Sequence, residues 1–242
     1  MDTPTFLGFR RLIYDKSGIN IGEKKEALVL NRVGKRMRAL GIDSYKDYLK
    51  LVHCDESGVE LSNLLDVVST NVTHFYREPQ HFDFLGTTMK QWVAHGRKKF
   101  RVWCAACSSG EEPYSIAITM ADAARKRDCD IKILATDICR QMLEKGRTGV
   151  YSKQRVNDVP AKLRSSYFSS RRNGCERVYT VHETIKQMVR FARLNLSAPP
   201  FPMSGPFDVI FIRNVMIYFD NIVRKRLLDE AYRLLVPGGY LV

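Results

Sequence analysis

The sequence lacks any apolar stretch as long as a membrane span, which requires about 20 predominantly apolar residues. Its first residues, MDTPTFLGFRRLIYDKSG, also lack the apolar run that follows a basic start in a secretory signal peptide. We therefore expect neither membrane insertion nor export, and we expect the chain to lie in the cytoplasm.

The cysteines and histidines lack the spacing of a disulfide framework or a metal site. Six cysteines are scattered at positions 54, 104, 107, 129, 139 and 175, and in the cytoplasm we expect them to stay reduced. Cys104 and Cys107 form one C-x-x-C pair, but no second pair or nearby histidine completes a redox or zinc motif, so packing is the favoured role. The five histidines show no ligand spacing, and the sequence predicts no metal site.

Acidic residues are in deficit. The 242-residue chain has 39 Lys and Arg against 26 Asp and Glu, a net charge of +13. The excess is uneven, because residues 1–78 carry 12 basic and 11 acidic side chains, whereas residues 140–193 carry 13 and 4. Such a field favours an anionic partner, which could be nucleic acid, anionic lipid or an acidic protein surface. A merely solubilising surface is the alternative.

The first 70 or so residues are predicted to be helical. Within 23–40, one stripe at helical spacing is apolar and consists of Leu30, Val33, Met37 and Leu40. The opposite face is basic and consists of Lys25, Arg32, Lys35 and Arg36. This basic face is either solvated or docks on something acidic. Further helices are predicted at 45–52, capped by Asp43-Ser44, and at 61–72.

After Pro79, apolar strands alternate with helices. Strands are predicted at 100–106, 131–137 and 207–214, each followed by a helix, and a fourth begins after the helix-breaking residues 237–239. This order predicts a largely parallel, doubly wound sheet, in which buried strands are continuously apolar. Segments 177–181 and 188–194 are expected to form an added hairpin and a return to the main sheet. Because the chain ends within a strand at Val242, we expect further strands in a longer protein.

Polar residues follow three of these strands, where an open α/β sheet binds its ligand. Residues 108–112, Ser-Ser-Gly-Glu-Glu, follow the first strand, Asp137 ends the second and Arg213-Asn214 end the third. An acid at the end of the second strand typically accepts hydrogen bonds from ribose hydroxyls. These features indicate a cofactor that carries a nucleoside.

The loop after the first strand lacks the G-x-G-x-x-G fingerprint of dinucleotide sites, since Gly110 is its single glycine. Adjacent Glu111 and Glu112 would repel a pyrophosphate, whereas a cationic cofactor would be attracted, although helix capping alone could explain one of them. S-adenosylmethionine carries a sulfonium, an α-amino group and a ribose. The pattern therefore favours a methyltransferase over a nicotinamide enzyme.

Four blocks of sequence together resemble the CheR family of chemotaxis receptor methyltransferases. They read VWCAACSSGEEPYSIAI, ATDICRQMLEKGRTGVY, FDVIFIRNVMIYFD and NVTHFYRE followed by HF. The resemblance extends from the N-terminal helices to residue 242. It implies an α/β fold: a doubly wound, Rossmann-like methyltransferase sheet, a small all-helical N-terminal domain and an inserted β-hairpin subdomain. We expect domains at 1–78 and 79–242, with the insertion at about 170–192.

The resemblance also implies an activity and a set of site residues. The activity is methyl transfer from S-adenosylmethionine to glutamate side chains of chemotaxis receptors, giving glutamate 5-O-methyl ester and S-adenosylhomocysteine for sensory adaptation. The implied cofactor contacts are Asn71, Thr73, Arg77, Glu112, Asp137, Asn195, Leu196, Arg213 and Asn214. The implied catalytic residues are Arg77 and Tyr218, although Tyr218 could instead be a core ring at a helix start. A glutamate carboxylate is already ionised near pH 7, so no general base is needed.

The implied partner is the receptor's cytoplasmic helices, which the basic helix matching Lys24–Leu40 would contact, with region 140–193 as a possible second contact. Segment 169–181 is shorter than in members that hold a C-terminal receptor peptide, which predicts a tether-independent enzyme. We expect a monomer. The stretch 71–82 is expected to join the two domains, with Phe75 and Tyr76 packing the joint and Pro79 ending it.

Two rival functions remain at this stage. The basic surplus would suit a nucleic-acid methyltransferase, but the Asn/Asp-Pro-Pro-Tyr/Phe type of motif is replaced here by Arg-Asn-Val-Met at 213–216. We therefore expect no nucleic-acid substrate. A cofactor sensor that has lost turnover would keep the fold, but the full set of motif residues argues against it.

Overall fold

Four helices, each with an apolar face, build the N-terminal part of the computed structural model, which describes residues 1–22, 26–125, 127–174 and 176–242. They are α1 (Thr3–Ser17), α2 (Glu26–Leu40), α3 (Tyr45–Cys54) and α4 (Val59–Val68). Asp2 caps α1 by accepting the N–H of Thr5 at 2.8 Å, and Ser44 caps α3 as predicted. The buried side chains of these helices form one core, in which Phe9, Val33 and Leu64 are fully enclosed.

The buried stripe of α2 differs from the prediction at both ends. Val33 and Met37 are buried as predicted, but Leu30 is only half-buried while its neighbour Val29 is buried, and Leu40 is 39% exposed. Leu40 is the last residue of the helix and Gly41 turns the chain away with a φ of 68°. Leu40 therefore extends beyond the core, and the prediction was wrong there.

Two cations of the predicted basic face of α2 bind within the helical region. Arg36 forms two hydrogen bonds with Glu60, of 2.9 and 2.6 Å, and Arg32 donates to the carbonyl oxygens of Val68 and Ser69. Lys35 is exposed, and Lys25 lies outside the described residues. The face is thus partly an internal contact and not a uniformly solvated one.

The remaining elements alternate between helices and strands. In chain order they are α5 (Gln80–Ala94), β1 (Lys99–Cys104), α6 (Glu111–Ala123), β2 (Asp130–Asp137), α7 (Arg140–Thr148), β3 (Val150–Ser152), α8 (Ala161–Tyr167), β4 (Phe168–Asn173), β5 (Glu176–Val181), α9 (Glu183–Lys186), β6 (Val189–Arg193), β7 (Phe207–Phe211), α10 (Asn221–Leu234) and β8 (Leu235–Leu241). A 3₁₀ turn, Met216–Tyr218, precedes α10. Helices α5, α8 and α9 and strand β3 were not predicted.

Five strands form one parallel sheet in the order β6-β2-β1-β7-β8. The chain runs outward from β1 through β2 to β6, then crosses to β7 on the other side, so the order reverses between β1 and β7. Side chains on one face pack against α5 and α6, and Trp103 and Ile210 on the other pack with Leu227 of α10. The predicted doubly wound parallel sheet is therefore confirmed.

A second, three-stranded antiparallel sheet has the order β3-β5-β4. The predicted strand at 177–181 lies in it and pairs with β4 in a hairpin that runs from Phe168–Val181 to Asn173–Glu176. The predicted strand at 188–194 instead joins the edge of the main sheet beside β2, as expected.

Strand β8 begins earlier than predicted. Its pairing with β7 shifts register between Phe207 with Leu235 and Val209 with Tyr240. Residues Pro237-Gly238-Gly239 lie inside the strand at this irregularity, where the missing N–H of proline and the positive φ of Gly238, 78°, are tolerated. The sequence reading of these residues as a break before the strand was wrong, because the chain enters the sheet directly after α10.

Candidate active site

A cavity lies beyond the carboxyl ends of β1, β2 and β7, where the strand order reverses. Its empty volume is about 920 Å³, including solvent at its mouth. Every predicted site residue lines it: Asn71, Thr73, Arg77, Glu112, Asp137, Asn195, Leu196, Arg213, Asn214 and Tyr218. Residues from five separated parts of the sequence thus meet at the position where doubly wound sheets bind ligands.

The segment 69–79, hereafter the site loop, contributes one wall. Helix α4 ends at Val68, four residues earlier than predicted, and the loop contains no helix or strand. Within the described residues, four non-glycine residues have φ between 45° and 57°: Tyr76, Glu78, Ser108 and Asn214. Tyr76 and Glu78 flank Arg77, and the other two line the cavity. Left-handed backbone is costly for such residues and persists where the surroundings enforce it, often at functional sites.

Glu112 and Arg213, which both line the cavity, form an ion pair. Arg213 Nη1 lies 2.5 Å from Glu112 Oε2, and the Arg213 side chain is 3% exposed. Burial raises the pKa of Glu112, and Arg213 opposes this rise. The thiol of Cys104 donates to Glu112 Oε1 at 3.2 Å, so this cysteine helps to orient the carboxylate. Burial also raises the pKa of both Cys104 and Cys107, which suppresses the reactive thiolate.

Glu111 faces away from the cavity and has a different role from its neighbour. It is fully buried, accepts from Ser109 Oγ at 2.7 Å and pairs with Arg155 at 2.8 Å. Successive residues of a helix point about 100° apart, and here that divergence places Glu112 in the cavity lining and Glu111 outside it. The expectation that both carboxylates attract the cofactor was therefore wrong for Glu111.

Asp137 ends β2 with both carboxylate oxygens directed at backbone N–H groups. Oδ2 accepts from Ser108 at 2.8 Å and Oδ1 from Cys139 at 2.9 Å. Burial raises its pKa, and these hydrogen bonds act in the opposite direction. Each oxygen retains a lone pair, which is the capacity that ribose hydroxyls need.

The helical region forms another wall that the sequence did not reveal. Ser17 and Ile19, at and just beyond the end of α1, line the cavity. Asn195 holds this end of α1 by donating to the carbonyl oxygen of Lys16 at 2.9 Å. The carbonyl oxygen of Tyr218 accepts the N–H of Asn20 at 2.8 Å. The left-handed Gly18 was a local sign of a helix end, but nothing local indicated its neighbour across the cavity.

The aromatic residues of the stretch 71–82 do not pack the joint between the two parts. Phe75 is buried edge-on against Tyr151 and Phe168, which belong to the antiparallel sheet, and Tyr76 packs against Phe82 of α5. The predicted joint packing is therefore wrong. Pro79 does end the stretch, since it precedes α5.

The joint is made by hydrogen bonds together with two isoleucines, since Ile138 packs against the helical core and Ile19 against the core beside Trp103. Asp66 of α4 accepts the N–H groups of Arg140 and Gln141 at 3.2 and 3.3 Å and so caps α7, whose own N-cap, Cys139, supplies no side-chain bond. The hydroxyl of Tyr14 lies 2.5 Å from Asp220 Oδ2. Both contacts lie on the side of the sheet that carries the cavity.

The described histidines and cysteines make no metal site. His74 lies 3.4 Å from Asp158 and His81 lies 3.5 Å from Glu78. Across the described part of the chain, no three His, Cys, Asp or Glu side chains form a group that could hold a metal ion. Within the same residues, no helix is long and apolar enough to cross a membrane.

Comparison with protein families matches both parts of the chain. Residues 4–69 match the all-alpha domain of CheR methyltransferase, and residues 71–242 match its SAM-binding domain. This chain belongs to the CheR methyltransferase family. It is therefore an S-adenosylmethionine-dependent methyltransferase, as the resemblance implied.

Several bacterial proteins are similar to nearly the whole chain. The chemotaxis protein methyltransferase of Salmonella typhimurium is 38% identical over 236 residues, which cover 96% of this chain and 81% of that protein. The protein of the same name from Borreliella burgdorferi is 35% identical over 239 residues, covering 96% and 83%. Among solved structures, a SAM-dependent methyltransferase from Geobacter sulfurreducens in complex with S-adenosyl-L-homocysteine has a TM-score of 0.37 and 14% identity, covering 70% of this chain and 49% of that one. This last likeness is too weak to support any argument.

Proposed function

We propose that this chain methylates glutamate side chains on the cytoplasmic helices of chemotaxis receptors. The products are glutamate 5-O-methyl ester and S-adenosylhomocysteine, and the modification serves sensory adaptation. The observation that carries the proposal is the convergence of Glu112, Asp137 and Arg77 on one cavity. The names of the relatives support the choice of receptor. We further propose that the enzyme acts as a monomer in the cytoplasm.

The lining of the cavity fits S-adenosylmethionine in charge. Glu112 would face the cationic amino acid part and Asp137 the ribose hydroxyls, with Asn71, Thr73, Asn195 and the loop after β7 as further contacts. The side chains of Ile138 and Leu196 would enclose the adenine between apolar surfaces. When bound, the cofactor supplies an electrophilic methyl group.

The protein's own residues would position the substrate carboxylate. Arg77 donates from Nη1 to the carbonyl oxygen of Val72 at 3.0 Å, and its side chain is 32% exposed. Its remaining N–H groups could hold the substrate carboxylate by charge-assisted hydrogen bonds. Tyr218 lines the same cavity and would wall the transfer position against water. The attacking group is already ionised, so the site needs positioning and not a general base.

We propose that residues 1–78 dock on the receptor and that residues 79–242 bind the cofactor, with the β-hairpin insertion at about 170–192. On α2, Lys35 and Arg38 are exposed and carry the docking charge, since Arg32 and Arg36 bind internally. The basic surplus of residues 140–193 would be a second contact. An acidic helix bundle would be attracted to both.

The test is incubation of the purified chain with methyl-labelled cofactor and either a receptor cytoplasmic fragment or total RNA. We expect base-labile label on the receptor fragment, lost when its methylatable glutamates are replaced by alanine. Arg77→Ala serves as the inactive control. Label on RNA, or base-stable label on protein, would overturn the proposal.

The proposed tether independence has its own test. Receptor fragments with and without their C-terminal peptide should be methylated at similar rates at equal concentration. A large loss of rate on removal of the peptide would show that the hairpin β4–β5 holds a tether after all.

A further inference from the structure

The site loop is held by three arginines from separate elements. Arg213, which follows β7, donates to the carbonyl oxygen of Arg77 and lines the cavity. The other two, Arg32 of α2 and Arg155 of the connection between β3 and α8, are absent from the cavity lining. Neither belongs to the set of site residues that the family resemblance implies.

Arg32 holds the start of the loop. Its Nη1 donates to the carbonyl oxygens of Val68 and Ser69 at 2.6 and 3.0 Å and lies 3.2 Å from Thr70 Oγ1. These carbonyl groups belong to the end of α4, where acceptors lack helical partners and a positive charge is favoured. Arg32 thereby fixes the direction in which the chain leaves α4 toward Asn71.

Arg155 holds the middle of the loop. Its Nη1 donates to the carbonyl oxygen of Thr73 at 3.1 Å and to Glu111 Oε1 at 2.8 Å. Glu111 is fully buried in the first turn of α6 and is itself bound by Ser109. The loop is thus tied to the same helix turn that carries Glu112 into the cavity.

These contacts matter because the loop has no regular backbone pairing of its own. Its left-handed residues Tyr76 and Glu78 require external support, and guanidinium groups can bind several acceptors at once. We propose that Arg32 and Arg155 are positioning residues that set Asn71, Thr73 and Arg77 for the cofactor and the substrate carboxylate. This inference rests on the proposed function for the roles of those three residues.

The test uses Arg32→Ala and Arg155→Ala, with Lys35→Ala on the exposed side of α2 and the exposed Lys153→Ala as matched controls. Hydrogen exchange of the cofactor-free protein should be faster in residues 69–78 of the two arginine variants. Exchange in residues 99–104 of β1 should stay as in the parent. Calorimetry should show S-adenosylhomocysteine binding weakened about tenfold, or ~1.4 kcal/mol, whereas the lysine variants should bind like the parent.

Arg32→Lys and Arg155→Lys keep the charge but lose the forked donor, so we expect intermediate affinity and exchange. If either alanine variant does not fold, the corresponding lysine variant replaces it in both measurements. Unchanged loop exchange and unchanged affinity would overturn the inference. So would faster exchange spread equally over the loop and β1, since that pattern indicates general destabilisation.

The docking role that the sequence suggested for Arg32 predicts a different result. A raised KM for the receptor fragment with unchanged affinity for S-adenosylhomocysteine would assign Arg32 to docking and overturn the inference. Neither exchange nor calorimetry involves a receptor. If the parent protein failed to methylate receptors, the proposed substrate would be overturned. Hydrogen exchange and calorimetry would still decide whether Arg32 and Arg155 position the site loop.

Discussion

Arg213 connects the carboxylate of Glu112 to the backbone of Arg77. One guanidinium nitrogen lies 2.5 Å from Glu112 Oε2, and the other donates to the carbonyl oxygen of Arg77. The guanidinium also lies over the ring of Phe82, 5.5 Å from its centroid. A single buried cation therefore holds the cavity carboxylate and the proposed substrate-binding arginine in one arrangement.

Glu112→Gln should weaken binding of S-adenosylhomocysteine by about tenfold or more, since the charge facing its amino group is lost. The glutamine oxygen can still accept from Arg213, so the fold should persist. Calorimetry measures the affinity, and the exposed Glu144→Gln is the control. Equal affinity in the parent and in Glu112→Gln would exclude Glu112 from cofactor binding.

The same variant should change the pH dependence of binding. Burial raises the pKa of Glu112, so its carboxylate is protonated at a higher pH than an ordinary glutamate. The charged form binds the cationic ligand, and affinity should therefore fall as the pH decreases from neutral toward that raised pKa. In Glu112→Gln, the loss of affinity that comes from protonation of Glu112 should disappear. The pH dependence of affinity that comes from Asp137 should remain. Parallel pH curves for the two proteins would contradict the assignment.

Arg77→Ala should lower the turnover number for receptor methylation by about 100-fold or more, a loss typical of removing a charge-stabilising group from an active site. Thermal unfolding should be little changed, because the side chain is partly exposed. Methylation rates with saturating cofactor measure the effect, and Lys90→Ala, an exposed cation of α5 outside both proposed docking regions, is the control for lost positive charge. Turnover close to that of the parent would remove Arg77 from the mechanism.

Arg36→Ala should destabilise the helical region by about 2 kcal/mol, since it leaves the buried Glu60 without its cation. Burial acts to raise the pKa of Glu60, but hydrogen bonds from Arg36, Tyr48 and Asn63 outweigh it and lower the pKa below the ordinary 4.5. The stabilisation that the Arg36–Glu60 ion pair supplies is therefore complete at a pH above the ordinary pKa of 4.5. It is lost as the pH falls through the lowered pKa of Glu60 in the folded state.

Urea unfolding at neutral pH and again well below the ordinary pKa of glutamate measures this effect. The stability difference between Arg36→Ala and the parent should narrow in acid, and Lys35→Ala should match the parent at both pH values. A difference that does not depend on pH would show that the loss comes from packing of the arginine stem and not from the ion pair.

Asp66→Ala should cost about 1 kcal/mol of stability, because Asp66 supplies the N-terminal cap that α7 lacks from its own sequence. Helix α7 begins three residues after Asp137, so the variant should also weaken S-adenosylhomocysteine binding. Urea unfolding and calorimetry measure the two effects. Asp66→Asn keeps a hydrogen-bond acceptor, so its stability and affinity should lie between those of Asp66→Ala and the parent. Full stability in Asp66→Ala would show that water replaces the cap.

The strands that build the site were predicted closely because a buried parallel strand leaves a local pattern. β1 and β2 begin within one residue of the predicted starts, and β7 begins where it was expected. Helix α5 was not predicted, although Phe82, Leu85, Met89 and Val93 recur at helical spacing and are all buried. Strand β3 has three residues, too few for any periodic signal.

Composition and order along the chain determined which residues could serve this chemistry: a carboxylate after β1, an acid ending β2, a polar pair after β7 and an arginine before the sheet. Such features are local, and a parallel sheet brings its strand ends together whatever the details of packing. Only the tertiary structure decided that Glu112 faces the cavity while Glu111 is buried against Arg155. It also decided that Arg32 and Arg36 bind inside the protein while Lys35 faces solvent. The direction of a side chain and the partner it meets depend on elements far away in sequence, and no local pattern records them.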